Sequence, residues 1–293
     1  MYGNGRIFGI IFFLSGKKID MENKEIKEVL VVGASSGIGA ETVALFLKKG
    51  YSVTNLSRSE CKITGVRNIS CDVTDGQNLS NCLEQYFSET GRLDVAVYSA
   101  GFSMAAPLEY AEEKDIKYLY EVNFFGFLKV LKKALPLLKQ SRGTFCVVSS
   151  VGAVQPIAYD SYYSSSKAAV NMAVKTLRHE LSPLGVRIIS VMPGGTKTNF
   201  SFKRKVYPYS EVGEYAENMN SAVKVLQNIE QKGMKPSAVA KTIYRKCVSK
   251  NFLSGVYSSG LINKAIVLVT RIFPQQLNAG VLSLIYFGKE KGE

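Results

Sequence analysis

The segment Val29-Leu30-Val31-Val32-Gly33-Ala34-Ser35-Ser36-Gly37-Ile38-Gly39 constrains this chain more than any other. Four consecutive apolar residues suit a strand covered on both faces. Three glycines follow, and Val43, Leu45, Phe46 and Leu47 then mark an amphipathic helix that begins near Ile38. The first glycine permits a sharp turn, the second lets backbone N–H groups approach a pyrophosphate, and the third lets the helix pack closely on the strand. The helix N-terminus supplies unpaired donors and a partial positive charge. A glycine pattern alone is a weak signal, but one set between a strand and a helix predicts a dinucleotide-binding unit.

From Glu28 onward, short β-branched runs alternate with longer amphipathic stretches, as expected for parallel strands joined by right-handed helical crossovers. The strands read as Val29–Val32, Ser52–Leu56, Val66–Cys71, Leu93–Tyr98, Thr144–Ser149, Val186–Val191 and Phe252–Tyr257. The expected fold is therefore α/β, a doubly wound, seven-stranded parallel sheet with helices on both faces. At 293 residues and 46% hydrophobic composition, one large core is affordable. A single domain over residues 21–258 is expected.

Two regions fall outside the alternation. Residues 198–233 are polar and tyrosine-bearing and follow a strand end, so they read as a mobile loop and helix covering a site. Residues 259–293 contain two apolar segments, Leu261–Phe273 and Val281–Phe287, with Lys264 and Arg271 among them. These read as helices packing on the domain or on a partner subunit, with peripheral membrane contact as the sharper alternative. Neither is long enough to be a convincing transmembrane helix. Residues 1–20 hold a short apolar stretch, Ile7 to Leu14, ahead of Lys17-Lys18, and Met21 opens the charged segment before the first strand. Residues 1–20 are expected to lie outside the fold as an extension from an upstream start.

The formal charge of +13 is spread along the chain, the longest basic run being Lys203-Arg204-Lys205, so a solvated basic surface is favoured over nucleic-acid binding. Cys61, Cys71, Cys82, Cys146 and Cys247 show no paired spacing and suggest reduced thiols in a cytoplasmic protein rather than a disulfide or zinc framework. The lone histidine, His179, sits late in a helix beside Glu180 and reads as a surface charge. No metal site is predicted.

The loop spacing G-x-x-x-G-x-G, together with the motifs that follow it, resembles the short-chain dehydrogenase/reductase family, in its hydroxysteroid and retinol dehydrogenase branch. The resemblance runs from about Glu28 to Tyr257. That family usually carries a threonine before the first glycine, where this chain has Val32. The resemblance implies a nicotinamide cofactor cradled by Gly33, Ser35, Ser36, Gly37, Ile38 and Gly39. After the second strand, Ser57 stands where an NAD-preferring relative carries an acid, and Arg58 offers a fork for a 2′-phosphate, so NADP(H) is the expected cofactor. Asp72 and Val73 resemble the pair that meets the adenine edge. Tyr98-Ser99-Ala100-Gly101 occupies the place of the family's Asn-Asn-Ala-Gly, so Ser99, Ala100 and Gly101 should lie against the cofactor while the usual asparagine tie is replaced or lost. Met192-Pro193-Gly194-Gly195-Thr196-Lys197-Thr198 resembles the turn beside the nicotinamide, with Pro193 and Gly194 shaping it and Thr196 or Thr198 reaching the carboxamide.

Tyr163-Ser164-Ser165-Ser166-Lys167 puts a phenol and an ammonium four residues apart on one helix face. A fixed cation lowers a phenol pKa that is otherwise about 10, which suits Tyr163 to proton exchange with a carbonyl or alcohol oxygen. Lys167 would also bind the nicotinamide ribose. Ser150, thirteen residues before Tyr163, is expected to hold the substrate oxygen. Asn123 matches the family's mid-helix asparagine, where a local irregularity places a proton-relaying water. The catalytic set is thus Asn123, Ser150, Tyr163 and Lys167, with substrate at Ser150 and Tyr163.

The substrate wall is expected from Phe102–Tyr110, Val151–Tyr159 and Phe200–Met219, with Phe102, Met104, Pro107, Val154, Pro156, Ile157, Tyr159, Phe202, Tyr207 and Tyr215 making it apolar and partly aromatic. The resemblance implies interconversion of a secondary alcohol and a ketone on a lipophilic alicyclic substrate such as a hydroxysteroid, a step of lipid metabolism. A 3-oxoacyl-thioester reductase and a non-catalytic NADP sensor are the alternatives. A homodimer or homotetramer is implied by the family.

Overall fold

The computed structural model describes residues 28–249, 253–273 and 275–288. The extension expected over residues 1–20 lies outside them, as does Phe252. Seven parallel strands form one sheet: β1 (Glu28–Val32), β2 (Ser52–Ser57), β3 (Arg67–Ser70), β4 (Val95–Tyr98), β6 (Thr144–Val148), β7 (Arg187–Met192) and β9 (Gly255–Ser258). Their order is β3-β2-β1-β4-β6-β7-β9. The chain winds outward in one direction from β1, then returns to β4 on the other side and winds outward again. That reversal leaves a crevice at the carboxyl ends of β1 and β4, where doubly wound sheets bind ligands.

The central strands β1, β4 and β6 are apolar and buried along almost their whole length because helices cover both faces. On one face α1 (Gly37–Lys48) buries Val43 and Phe46 among Val29, Val31, Val95, Val97 and residues of α7 (Pro236–Val248). Each such side chain stabilises the fold by about 1.5–3 kcal/mol relative to leaving it exposed. The other face is covered by α2 (Gly76–Thr90), α4 (Gly126–Ser141) and α5 (Ser161–Leu181), with Phe127, Phe145, Val170 and Val174 in its core. Along the first four turns of α5 the buried residues are Tyr163, Ser166, Lys167, Val170, Asn171 and Val174. That spacing of three and four is a helical inner stripe, and its first turn and a half carries the phenol and the ammonium.

Two strands are additions to the sequence reading. Met104–Ala105 (β5) pairs in parallel with Lys205–Val206 (β8), which fastens the segment after β4 to the region expected as a lid. Beyond β8 that region continues through short turns into α6 (Ala216–Gln231). Between α3 (Glu113–Tyr120) and α4, a π-helical turn spans Glu121–Phe125 and buries Asn123. Such single-turn insertions are frequent at functional sites. The apolar tail forms α8 (Leu261–Ile272) and α9 (Gln275–Phe287), and α9 begins earlier than the second apolar segment suggested. No helix among the described residues is long and apolar enough to cross a membrane. All five cysteines are buried thiols.

Candidate active site

The crevice opens into a cavity of about 1380 Å³. Gly33, Ser35, Ser36, Gly37, Ile38, Ser57, Arg58, Asp72, Val73, Ser99, Ala100, Gly101, Ser150, Tyr163, Lys167, Pro193, Gly194, Thr196 and Thr198 all line it. Gly39 and Asn123 are the two site candidates outside that lining. Gly39 backs α1 onto the glycine loop, where a Cβ would lie 2.3 Å from the Gly33 carbonyl oxygen. Gly33, at φ +84°, presses on the segment just after β4: a Cβ there would meet the Ala100 backbone nitrogen at 2.6 Å.

Ser36 precedes α1 without a side-chain capping bond. The first N–H groups of α1 therefore have no intrahelical acceptor, and Gly37 and Ile38 carry two of them in the cavity wall. This uncapped helix end, behind a loop with no side chain at Gly33 or Gly37, fits a dinucleotide pyrophosphate. The loop is held by Asn55, whose Oδ1 accepts from the Ala34 backbone N–H at 3.0 Å and whose Nδ2 donates to Asn68 Oδ1 at 2.8 Å. Asn55 was not among the residues singled out from sequence. No motif or spacing in the sequence points to it.

At the far end of the groove, Arg58 is 69% exposed; its Nη1 donates to Tyr118 Oη at 3.1 Å and stands 3.9 Å from Asp72 Oδ2. Asp72 Oδ1 accepts from the Thr74 backbone N–H at 2.9 Å and from Thr74 Oγ1 at 2.8 Å. Around Gly194 the turn is closed by α8: a Cβ on Gly194 would meet Asn263 Oδ1 at 2.2 Å. Thr196 Oγ1 donates to the Gly194 carbonyl, and Thr198 Oγ1 accepts from the Phe200 backbone N–H.

Tyr163, Ser150 and Lys167 converge at the inner end. Lys167 Nζ lies 5.7 Å from the Tyr163 ring centroid and donates to the Val148 carbonyl at 3.1 Å. Burial pulls its ammonium down from 10.5 to about 8. Burial likewise pushes the Tyr163 phenol above its ordinary value, against a hydrogen bond with Ser150 that favours the phenolate. The lowered phenol expected from Lys167 is therefore not what the chain by itself sets up, because burying the phenol disfavours its anion more than its neighbours favour it. Ser150 Oγ also accepts from the Gly152 backbone N–H, whereas Ser149 Oγ turns away to the Lys167 carbonyl. Asn123 sits behind this group: its Oδ1 accepts from the Phe102 N–H at 3.0 Å, and its Nδ2 donates to the Phe102 carbonyl at 3.0 Å and to Ser166 Oγ at 3.1 Å. It thus fixes the segment after β4 to α5, and Tyr98 Oη donates to the Val122 carbonyl in the same π turn. Together with Asn55, these bonds stand in for the missing asparagine tie.

The outer wall differs from the expectation. Of its ten candidate residues, Phe102, Pro156 and Ile157 line the cavity. Met104, Tyr159, Tyr207 and Tyr215 instead pack into a separate core under β5 and β8, and Phe202 is 73% exposed. Pro107 and Val154 are likewise outside the lining. Their places are taken by Phe200, Leu226, Ile229, Leu261, Ile262, Ile266, Leu282, Ile285 and Tyr286, from the turn after β7 and from α6, α8 and α9. Asp160, Arg204 and Glu230 also reach the lining, and sequence reasoning had passed over all three.

Comparisons with known proteins agree with this geometry. The family described as short chain dehydrogenase matches residues 27–206. A 3-ketodihydrosphingosine reductase of Bacteroides thetaiotaomicron is 32% identical over 225 residues, 74% of this chain and 84% of its own length. A short-chain dehydrogenase from Streptomyces avermitilis superposes with a TM-score of 0.74 at 25% identity, covering 89% of this chain and 96% of that one. ElxO, solved with NADP bound, gives a TM-score of 0.66 at 25% identity over 80% of this chain and 97% of its own. With its seven-stranded doubly wound sheet and a nicotinamide groove at the strand reversal, the chain belongs to the short-chain dehydrogenase family of oxidoreductases.

Proposed function

We propose that the protein uses NADP(H) to interconvert a ketone and a secondary alcohol on a lipophilic small molecule, with Ser150, Tyr163 and Lys167 as the residues at the reacting oxygen. The convergence of these three side chains at the inner end of one cavity carries the reading. The cofactor, held along the glycine loop and the turn at Pro193 and Gly194, supplies the hydride acceptor or donor. Tyr163 gives a proton to the oxygen of the ketone, or takes one from the alcohol, and Ser150 Oγ holds that oxygen beside the phenol. Lys167, behind the phenol, offsets the charge that Tyr163 acquires. Asn123 is assigned a positioning role through its bonds to Phe102 and Ser166. Arg58, largely exposed at the far end of the groove beside Tyr118 and Asp72, is assigned the 2′-phosphate, which favours NADP(H) over NAD(H). The NADP-bound ElxO supports that choice by likeness.

For the substrate, hydroxysteroids follow from the family resemblance, while a specific observation favours an aliphatic keto lipid. The side chains that replace the expected aromatic wall are mostly Leu and Ile, and one relative is named for a 3-ketodihydrosphingosine. Partner calls belong here too. The apolar residues Leu268, Ile272, Leu284 and Phe287 on α8 and α9 are exposed and suit a second copy of the chain or a lipid surface. Light scattering with and without anionic liposomes separates the two.

The deciding assay follows NADPH oxidation with a panel of lipophilic ketones. Wild type should turn over at least one of them, and Tyr163→Phe should lose about 10²- to 10⁴-fold in kcat while still binding NADPH. Tight NADPH binding with no turnover across the panel would instead favour the sensor.

A further inference from the structure

Three charged side chains in the cavity lining have no part in the chemistry at Tyr163. Arg204 and Asp160 are each 1% exposed and Glu230 12%. Arg204 Nη2 donates to Glu230 Oε1 at 2.6 Å, its Nε donates to Ser103 Oγ at 2.8 Å, and Nε stands 3.9 Å from Asp160 Oδ2. Ser103 Oγ donates in turn to Asp160 Oδ2 at 2.7 Å. Asp160 immediately precedes α5, three residues before Tyr163, and all three charges share the cavity lining with Tyr163 and Tyr286.

A cluster that only held the fold together would satisfy its polar atoms, since a half-satisfied buried network is worse than an apolar one. This cluster does not. Arg204 Nη1 and Glu230 Oε2 are buried with no hydrogen-bond partner among the described residues, and they sit on the two side chains that are already bonded to each other. One donor and one acceptor of the same ion pair are thus left unused. With both carboxylates ionised, the trio carries one net negative charge. Of the lysines in the lining, Lys203, Lys205 and Lys232 are exposed and screened by solvent, Lys205 being paired with Asp115, while the buried Lys167 ammonium stands beside Tyr163.

Building on the function proposed above, we propose that Glu230 and Arg204 form a headgroup subsite for a protonated amine carried close to the reacting carbonyl. The substrate class is then an amphiphilic amino ketone, or the matching amino alcohol. The ammonium donates to Glu230 Oε2, and a neighbouring oxygen of the same headgroup accepts from Arg204 Nη1. The aliphatic wall from α6, α8 and α9 takes the chain. An anionic head has no proton to give Glu230 Oε2, and an uncharged hydroxyl makes only the weaker, neutral-donor hydrogen bond there.

The test pairs two ketones of equal chain length, one bearing an ammonium on the carbon beside the carbonyl and one lacking it. Wild type should show a kcat/KM ratio of at least tenfold in favour of the amino ketone, and Glu230→Gln, which keeps the shape of the side chain, should abolish that ratio. Equal kcat/KM for the two ketones in wild type overturns the subsite while leaving ketone reduction standing. A variant that lowers both substrates alike, with the ratio intact, also overturns it and makes the cluster a strap for α6. Calorimetric titration of wild type with octylamine and with octanol decides the matter without turnover. Octylamine should bind at least tenfold tighter near neutral pH, and equal binding refutes the subsite even if no ketone is reduced. Absence of turnover with every ketone, beside selective octylamine binding, refutes the proposed reaction and keeps the subsite.

Discussion

Gly39→Ala is the most economical way to ask whether the glycine loop is built for a pyrophosphate. The added methyl would lie 2.3 Å from the Gly33 carbonyl oxygen and 2.8 Å from Ala34 Cα, both backbone atoms that no rotamer change can move aside. Non-bonded heavy atoms settle at about 3.5 Å, so the start of α1 must retreat by roughly 1 Å. Overpacking of this kind costs about 1–3 kcal/mol of stability. The same retreat draws the N–H groups of Gly37 and Ile38 back from the groove. Losing about one charge-assisted hydrogen bond, worth about 1.5–3 kcal/mol, weakens binding roughly ten- to a hundredfold. Gly76→Ala is the control, because a Cβ there meets nothing within 4 Å and no left-handed backbone is involved. Calorimetric titration with NADPH, beside thermal unfolding of both variants, makes the measurement. Gly39→Ala should bind NADPH ten- to a hundredfold more weakly and melt several degrees lower, while Gly76→Ala should match wild type or exceed it. NADPH affinity within twofold of wild type in Gly39→Ala would refute the reasoning.

Other perturbations address the cofactor's second phosphate and the buried lysine. Arg58→Ala should raise the Kd for NADPH about tenfold and leave NADH unmoved, as read by fluorescence titration; equal losses for both cofactors would contradict the 2′-phosphate assignment. Burial lowers Lys167 from 10.5 to about 8, so between those values the unfolded chain holds a proton that the folded chain has released. Stability from this group therefore rises with pH across that window. Chemical denaturation of Lys167→Met should show that rise flattened, and a curve parallel to wild type would count against it.

The parts of the molecule that were legible from sequence are those with a period or a fixed spacing. Buried parallel strands announce themselves as apolar runs, and a phenol and an ammonium four residues apart must share a helix face. Asn55 has no period, and its part becomes visible only when β2 lies beside the glycine loop. The pairing of Met104–Ala105 with Lys205–Val206 joins two dipeptides about a hundred residues apart, too short to carry any alternation. Met104, Tyr159, Tyr207 and Tyr215 pack into a core and not the cavity wall, a distinction the sequence does not carry because an aromatic-rich segment near a site reads the same in either place. Arg204 was concealed in the run Lys203-Arg204-Lys205, which looks solvated throughout, yet its centre is buried while its neighbours are exposed.

The short-chain dehydrogenase match ends at Val206, and the side chains proposed for chemistry all lie before that point. Much of the outer wall comes from residues after it, on α6, α8 and α9. On the proposed reading, the groups at the reacting oxygen and the groups that choose its carrier are separated along the length of the chain. Mutations accumulating in the last third can retune the guest without disturbing the reaction, so two proteins with the same first two hundred residues need not share a substrate.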